Sequence, residues 1–303
     1  MQKLSSFKDE PFIAILSYDE PNKNIICSVD EASKFGIKFK INSTSVYGVK
    51  YHLKKHPIDF SIYKERIDKV ISHQKNGDNY LLNLCFPTEI STNLSLEEIY
   101  NYSGARVVIY KKDDFVCFSP EIFVNIKDGY MHTYPMKGTI EANLPDAKEI
   151  LLRDEKEFSE QAMIVDLMRN DLSMVCDDVK VEKFRYIERV KDLYQTSSHI
   201  SGRLRDKIGF NEIFNRILPA GSISGTPKDY AQKIISECEI IKRGYYTGVF
   251  IYFDGEILQS FVMIRFIKKM DNKLYFFSGG GITTMSDPKK EYDELIKKVY
   301  FPF

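Results

Sequence analysis

The chain has 303 residues, 43% of them hydrophobic, enough for one large domain or two ordinary ones around a sizeable core. Lys and Arg number 43, as do Asp and Glu, so the formal net charge is zero; with no basic excess or stripe, no nucleic-acid partner is expected. No apolar run approaches the roughly 18 residues a membrane-spanning helix needs, and Met1 to Pro11 lacks a signal-peptide core, so no membrane association is expected.

Phe12 to Tyr18 is an apolar run of strand length. Asp59 to Gln74 carries Ile62, Ile67, Val70 and Ile71 on one stripe and predicts an amphipathic helix. Tyr80 to Phe86 is strand-like, and short strands are predicted over 106–110, 115–118, 122–126 and 130–134. A long helix is predicted over about 146–174, strands over 185–191 and 194–204, and helices over 210–217 and 228–241. Asp254-Gly255 predicts a hairpin turn between strands 246–253 and 257–268. A strand over 274–278 and a helix over 288–299 complete the chain. Strands mostly follow strands, with helices between the groups, so the fold class expected is α+β with antiparallel sheets. No linker or repeat interrupts the sequence. A single domain over 1–303 is expected, with its motifs dense from about residue 105.

The cysteines, at 27, 85, 117, 176 and 238, are odd in number, scattered and without a C-x-x-C pair, which points to a reducing, cytoplasmic compartment. None sits in a tight nucleophile turn. His52 and His56 have helical spacing, but Pro57 follows and no metalloprotease glutamate accompanies them.

Tyr134-Pro135-Met136-Lys137-Gly138-Thr139-Ile140 places a lysine between an expected strand end and a Gly-Thr turn. A buried lysine amine loses its proton easily and then attacks carbon, although exposed turns have the same composition. Glu157 and Glu160 are three apart on one predicted helix and Glu291 and Glu294 on another. Each pair shares a helix face, and together they offer oxygen ligands of the kind magnesium prefers; a charged solvated face gives the same spacing. Leu218 to Lys228 precedes a helix with two serines, Thr226 and Lys228, an arrangement suited to an anion. Gly279-Gly280-Gly281 allows backbone amides close to a ligand or forms a plain turn. Arg265, inside an apolar run, needs an anionic partner if it faces the core, or else points to solvent.

Taken together, these segments resemble the chorismate-utilising enzymes, which include anthranilate, aminodeoxychorismate, isochorismate and salicylate synthases. The resemblance rests on Ser119-Pro120-Glu121, Pro135 to Thr139, Glu160 to Leu172, Gly221 to Lys228, Arg243 to Gly248, Gly279 to Ile282 and Ser286 to Glu294. It implies two large antiparallel sheets between helical layers. It implies Glu121 as the general acid for the departing C4 hydroxyl and Glu160 and Glu294 as magnesium ligands, with Glu157 and Glu291 acting through water. It also implies that Tyr246, Arg265, Lys228 and the amides near Gly280 and Gly281 hold the substrate carboxylates, and that Thr139 lies near the C4 substituent.

Lys137 matches a position that is usually alanine in anthranilate synthases and commonly lysine in aminodeoxychorismate synthases, where it attacks C2 of the ring. Leu81 stands where water-activating members carry lysine and amino-transferring members often carry glutamine, and Gln195 stands where anthranilate synthases carry histidine. The activity implied is amino transfer to chorismate, ahead of 4-aminobenzoate and folate, with ammonia from a separate glutamine amidotransferase subunit. Anthranilate synthesis is the enzymatic alternative, and a silent chorismate-binding protein a third.

Overall fold

The structure is a computed structural model that describes residue 4 and residues 10–42, 48–118, 120–190 and 192–303. Ser119, Lys191 and most of the segment before Phe12, on which sequence expectations fall, lie outside the described residues. The fold is α+β, and its strands form two antiparallel sheets, of nine and eight strands among the described residues. The chain forms two compact units, each assembled from separated segments. The first comprises Ile122–Ser222 and Ile251–Ser260 with the described residues before Phe12; the second comprises Phe12–Glu121, Ile223–Phe250 and Phe261–Phe303. Among the described residues no helix is long and apolar enough to cross a membrane.

The second unit contains the whole eight-stranded sheet. Its order is Gly225–Thr226, Leu81–Thr92, Lys273–Ile282, Phe266–Met270, Phe115–Phe118, Val107–Lys111, Ile37–Ile41, and Leu53–His56 also pairs with Leu81–Thr92. One cluster beneath it joins Tyr63, Ile67 and Val70 of helix Phe60–Lys75 to Leu82, Leu84 and Phe86 of the central strand. That is the inward stripe expected from sequence, except that Ile62 is exposed and Tyr63 takes the core position. Helix Leu96–Tyr102 was not legible as a helix, yet it opens on a capping box: the Glu98 N–H donates to Ser95 Oγ at 3.2 Å, and the Ser95 N–H to Glu98 Oε2 at 2.8 Å.

The central strand Leu81–Thr92 has a gap along one edge. Gly225–Thr226 pairs with Leu82 and Leu81, and Leu53–His56 pairs only from Glu89 onward. In the gap, Arg243 Nη2 donates to the Asn83 carbonyl at 2.6 Å, and the Cys85 N–H donates to Glu239 Oε1 at 2.9 Å. Arg243 and Glu239 also bond each other, at 2.6 Å for Nη2 to Oε1 and 2.9 Å for Nε to Oε2. Their side chains are 1% and 5% exposed, so the pair is a buried one. Burial pushes the Glu239 carboxyl up, and the Arg243 guanidinium beside it pulls it back.

In the first unit, strand Leu193–Leu204 is flanked by Cys176–Val190 on one side and by Met136–Glu141 and Tyr130–Thr133 on the other. The helix expected over 146–174 is broken into Ala147–Arg153 and Glu155–Ser173. Asp154 sits extended at the break and caps the second helix, accepting from the Glu157 N–H at 2.8 Å.

Glu239→Gln leaves a buried guanidinium without its counter-charge, which is expected to cost about 3–5 kcal/mol. Denaturant unfolding should show a lowered midpoint; an unchanged midpoint would mean that the gap in the strand edge closes without the pair.

Candidate active site

In the first unit, Lys137 is in a strand, Met136–Glu141, where a turn was expected from sequence. Its register with Leu193–Leu204 shifts between Lys137 and Thr139, around Gly138 at φ +68°. Such a bulge re-aims the neighbouring side chains. The strand backbone is held from two sides. Thr196 Oγ1 donates to the Lys137 carbonyl. The Pro135 carbonyl accepts from the Ser198 N–H at 2.9 Å and from Gln161 Nε2 at 3.0 Å, and Gln161 Nε2 also donates to Ser198 Oγ at 2.8 Å. Gln161 is fully buried, and it fixes the helix turn that carries its neighbour Glu160.

Lys137 Nζ then meets Glu160 Oε2 at 3.1 Å, with the Glu160 side chain only 12% exposed. Glu157 lies beside the same bulge: a Cβ built on Gly138 would fall 3.3 Å from Glu157 Oε2 and 3.0 Å from Leu151 Cδ1. Lys137, Glu157 and Glu160 thus lie together around Gly138. Thr139 is on the same strand and exposed. Arg185 secures the preceding helix, donating to the Leu151 and Leu152 carbonyls at 2.8 and 2.9 Å.

In the second unit, Gly279 and Gly281 pair with Cys85 and Asn83. Because Cys85 N–H and Asn83 C=O are turned to the gap, strand alternation turns the backbone groups of Gly279 and Gly281 to the far edge, and those of Gly280 to Leu84. The ladder with Phe266–Met270 ends at Phe277, so Gly281 presents its amide beyond that ladder's end. Lys298 Nζ reaches the same edge, donating to the Gly279 carbonyl at 2.7 Å. A Cβ on Gly280 would be 3.3 Å from Glu291 Oε2, and Glu291 Oε1 accepts from Ser286 Oγ at 2.9 Å. Glu294 is more exposed and pairs with Lys298 at 2.8 Å.

Tyr246 is buried, its ring 5.1 Å from Phe277 and 6.0 Å from Phe266. Arg265 is not in a continuous strand as expected: the strand ends at Val262 and resumes at Phe266, and Arg265 between them takes φ +49° with its guanidinium 5.8 Å from the Tyr300 ring centroid. Lys228 is the first residue of helix Lys228–Cys238, and Glu121 opens strand Glu121–Lys127; both are half-buried. Leu81 is buried, and Gln195 Nε2 donates to Glu188 Oε2 at 3.3 Å. All five cysteines are free and buried, so none is a presented thiol nucleophile. His52 is in a loop and His56 in a strand, so their helical spacing brings no pair together.

Within the described residues no group of three or more His, Cys, Asp or Glu side chains forms a closed metal cage. The donors are nevertheless carboxylate oxygens: Glu157 and Glu160 at Gly138 in one unit, Glu291 and Glu294 on helix Pro288–Lys297 in the other. That donor chemistry fits magnesium. Asn83, Cys85, Gln161 and Glu239 were missed from sequence. Only the Glu239–Arg243 spacing of four carried a signal, and it resembled any surface pair.

Residues 24–303 match the chorismate binding enzyme family, and the chain belongs to it. It is 50% identical to an uncharacterized PabA-like protein of Haemophilus influenzae, over 96% of this chain and 92% of that one. Aminodeoxychorismate synthase component 1 of Bacillus subtilis is 30% identical over 78% of this chain and 54% of its own length. The crystal structure of anthranilate synthase component I from Streptococcus pneumoniae matches with a TM-score of 0.72 at 27% identity, covering 82% of this chain and 59% of that one.

Gly279 has no room for a side chain: a Cβ would lie 2.5 Å from Cys85 Sγ and 2.8 Å from both Asn83 Oδ1 and the Leu84 carbonyl. Gly279→Ala is expected to destabilise by about 1–3 kcal/mol through overpacking. Thermal unfolding should report it; unchanged stability would show that the two strands part freely here.

Proposed function

We propose that this chain is the amino-transferring component of an aminodeoxychorismate synthase, converting chorismate and ammonia to 4-amino-4-deoxychorismate and water. The observation that carries the reading is Lys137: an amine in a pinned strand bulge, held by Glu160 at 3.1 Å. In the family resemblance, lysine here distinguishes amino transfer to C4 from anthranilate synthesis. The 30% identity to an aminodeoxychorismate synthase component is matched by 31% identity, over an equal 78% of this chain, to an anthranilate synthase component 1 of Haloarcula marismortui, so the choice of branch rests on Lys137.

In this mechanism Lys137 Nζ, released from Glu160 and neutral, bonds to C2. The two conjugated ring double bonds shift and the C4 hydroxyl departs as water, with a proton from Glu121. Ammonia then bonds to C4, both double bonds shift back, and the Nζ–C2 bond breaks to return the lysine. Two displacements replace one difficult substitution. Tyr246, Lys228, Arg265 and the Gly281 amide hold the carboxylates, and Thr139 borders the C4 substituent. Glu160 and Glu294 would hold magnesium and Glu157 and Glu291 would act beside them, as the resemblance implies; the ion would supply positive charge to a dianionic substrate. Ammonia comes from a glutamine amidotransferase subunit, since no presented thiol in this chain would hydrolyse glutamine. The five free cysteines fit a reducing compartment, the cytoplasm.

The chain incubated with chorismate, magnesium and ammonium salt should yield a product that keeps the enolpyruvyl group, whereas anthranilate would point to the other branch. Glutamine in place of ammonium should give none. Lys137→Ala should lose about two to four powers of ten in rate, and Lys137→Arg should not recover it because a guanidinium stays charged. Wild type quenched with chorismate and no ammonia should carry an adduct on Lys137 in peptide mass spectra. An active Arg variant with no adduct would reduce Lys137 to a clamp.

Glu160→Gln and Glu294→Gln should each weaken magnesium-dependent binding of chorismate, measured by calorimetry. Full activity in excess chelator would remove magnesium from the scheme.

A further inference from the structure

We infer that Gln161 is a positioning residue for Lys137: its amide ties the strand two residues before the lysine to the helix turn that carries Glu160, and so holds the amine in the place from which it attacks the ring. The inference rests on the reading of Lys137 as the nucleophile.

Lys137 and Glu160 belong to a closed ring of contacts. Lys137 Nζ meets Glu160 Oε2 at 3.1 Å, and the peptide bond leads from Glu160 to Gln161. Gln161 Nε2 donates to the Pro135 carbonyl at 3.0 Å, and Met136 leads back to Lys137. Glu157, Glu160 and Gln161 stand at i, i+3 and i+4 on helix Glu155–Ser173, so one helix face brings both acids and the amide to the strand. Gly138 follows the lysine at φ +68°, where the register with Leu193–Leu204 shifts. A bulge disrupts the ladder locally, so the residue before it depends on other ties. Thr196 Oγ1 holds the Lys137 carbonyl, and Gln161 holds the chain on the N-terminal side of the lysine.

The amide makes bonds that its partners could spare. The Pro135 carbonyl also accepts from the Ser198 N–H at 2.9 Å. Ser198 Oγ, the second acceptor for Gln161 Nε2 at 2.8 Å, also accepts from the Arg185 N–H at 3.1 Å. Removing the amide therefore orphans neither acceptor. Gln161 Oε1 is itself buried and has no hydrogen-bond partner among the described residues, an unmade bond of the kind that native interiors rarely keep without a reason. A side chain present only to fill this space would be better apolar. What the amide adds is direction: a donor of this length fixes the separation of the strand from the helix turn. A glutamate of the same shape has no N–H to donate and would set a third acid beside Glu157 and Glu160.

The clamp is first read without substrate, by labelling the chain with acetic anhydride and following Lys137 in peptide mass spectra. Gln161→Met keeps the volume and removes the donor, and should unfold near the wild-type temperature. It should label Lys137 about three- to tenfold faster, the scale of one hydrogen bond, with the other lysines unchanged. Unchanged labelling of Lys137 overturns the inference. Gln161→Asn, one methylene shorter and unable to reach the strand, should behave alike and stands in if the Met variant does not fold. With chorismate, magnesium and ammonium salt, Gln161→Met should lower kcat about ten- to a hundredfold and leave KM for chorismate within about twofold. In a Lys137→Ala background it should lower kcat no further. An equal further loss there, or a change in KM alone, would mean that Gln161 serves something other than the lysine, and would overturn the inference. If wild type makes no aminated product, the nucleophile reading fails; labelling that still responds to Gln161 then supports the clamp on Lys137, and labelling that does not overturns it.

Discussion

The ion pair of Glu239 and Arg243 occupies the place of a missing strand. Along Leu81–Thr92, Gly225–Thr226 stops at Leu82 and Leu53–His56 starts at Glu89. Backbone groups left in such a gap need partners or water, and the interior has no water to spare. Glu239 takes the Cys85 N–H and Arg243 takes the Asn83 carbonyl. The same guanidinium donates to the Ile223 carbonyl at 2.8 Å and to Thr247 Oγ1 at 3.2 Å. One buried cation thereby joins the central strand, the loop before helix Lys228–Cys238 and the turn that presents Tyr246. A hydrophobic pair could fill the volume but could not serve an N–H and three oxygens, which is a reason for charge where charge is costly to bury.

The strands on the opposite side inherit this constraint. Because Cys85 and Asn83 turn their backbone groups to the ion pair, Gly279 and Gly281 must turn theirs to the far edge. The triplet therefore does not act as three equivalent amides. Gly281 faces the open edge, Gly280 is bound into the ladder with Leu84, and Gly279 is glycine because its Cβ position is occupied by Cys85 and Asn83. Composition alone shows glycine freedom but not which amide that freedom serves.

Most elements with a buried face were legible in sequence; the short helix Leu96–Tyr102, although Leu96, Ile99 and Tyr100 are buried, and elements without such a face were not. Helix Phe60–Lys75 and strand Phe115–Phe118 follow apolar patterns that have a core to face. Strand Cys176–Val190 runs mostly exposed through Asp177, Asp178, Lys180, Glu182 and Lys183, and its register slips three times, so alternation never builds up. Met136–Glu141 reads as a turn because Gly138 is one, locally, inside a strand. The Glu157–Glu160 face was visible from helical spacing, but its partners were not: Lys137 arrives from a strand some twenty residues earlier, by tertiary contact. On the last helix the same spacing gave the shared origin of Glu291 and Glu294 but not their separate partners, Ser286 and Lys298.

Leu81 bears on which nucleophile the site can use. It opens the central strand, pairs with Thr226, is 4% exposed, and has its carbonyl packed against Gly225, where a Cβ would lie 2.2 Å away. A leucine so placed can neither take a proton nor orient a donor. Water is a poor nucleophile until a base removes its proton, so a site that added water to the ring would need a basic group here or elsewhere. Ammonia has a lone pair ready and is a far better nucleophile as it stands; what it needs is a carbon made receptive and protection from competing water. In the proposed mechanism an adduct on Lys137 would supply the first, because it would set the ring double bonds so that attack at C4 expels the amine. An apolar residue at position 81 is consistent with the second. Leu81 thus withholds a base from water but equally lacks the glutamine amide common in amino-transferring members, so in the proposed mechanism it is the lysine, as a leaving amine, that separates the branches.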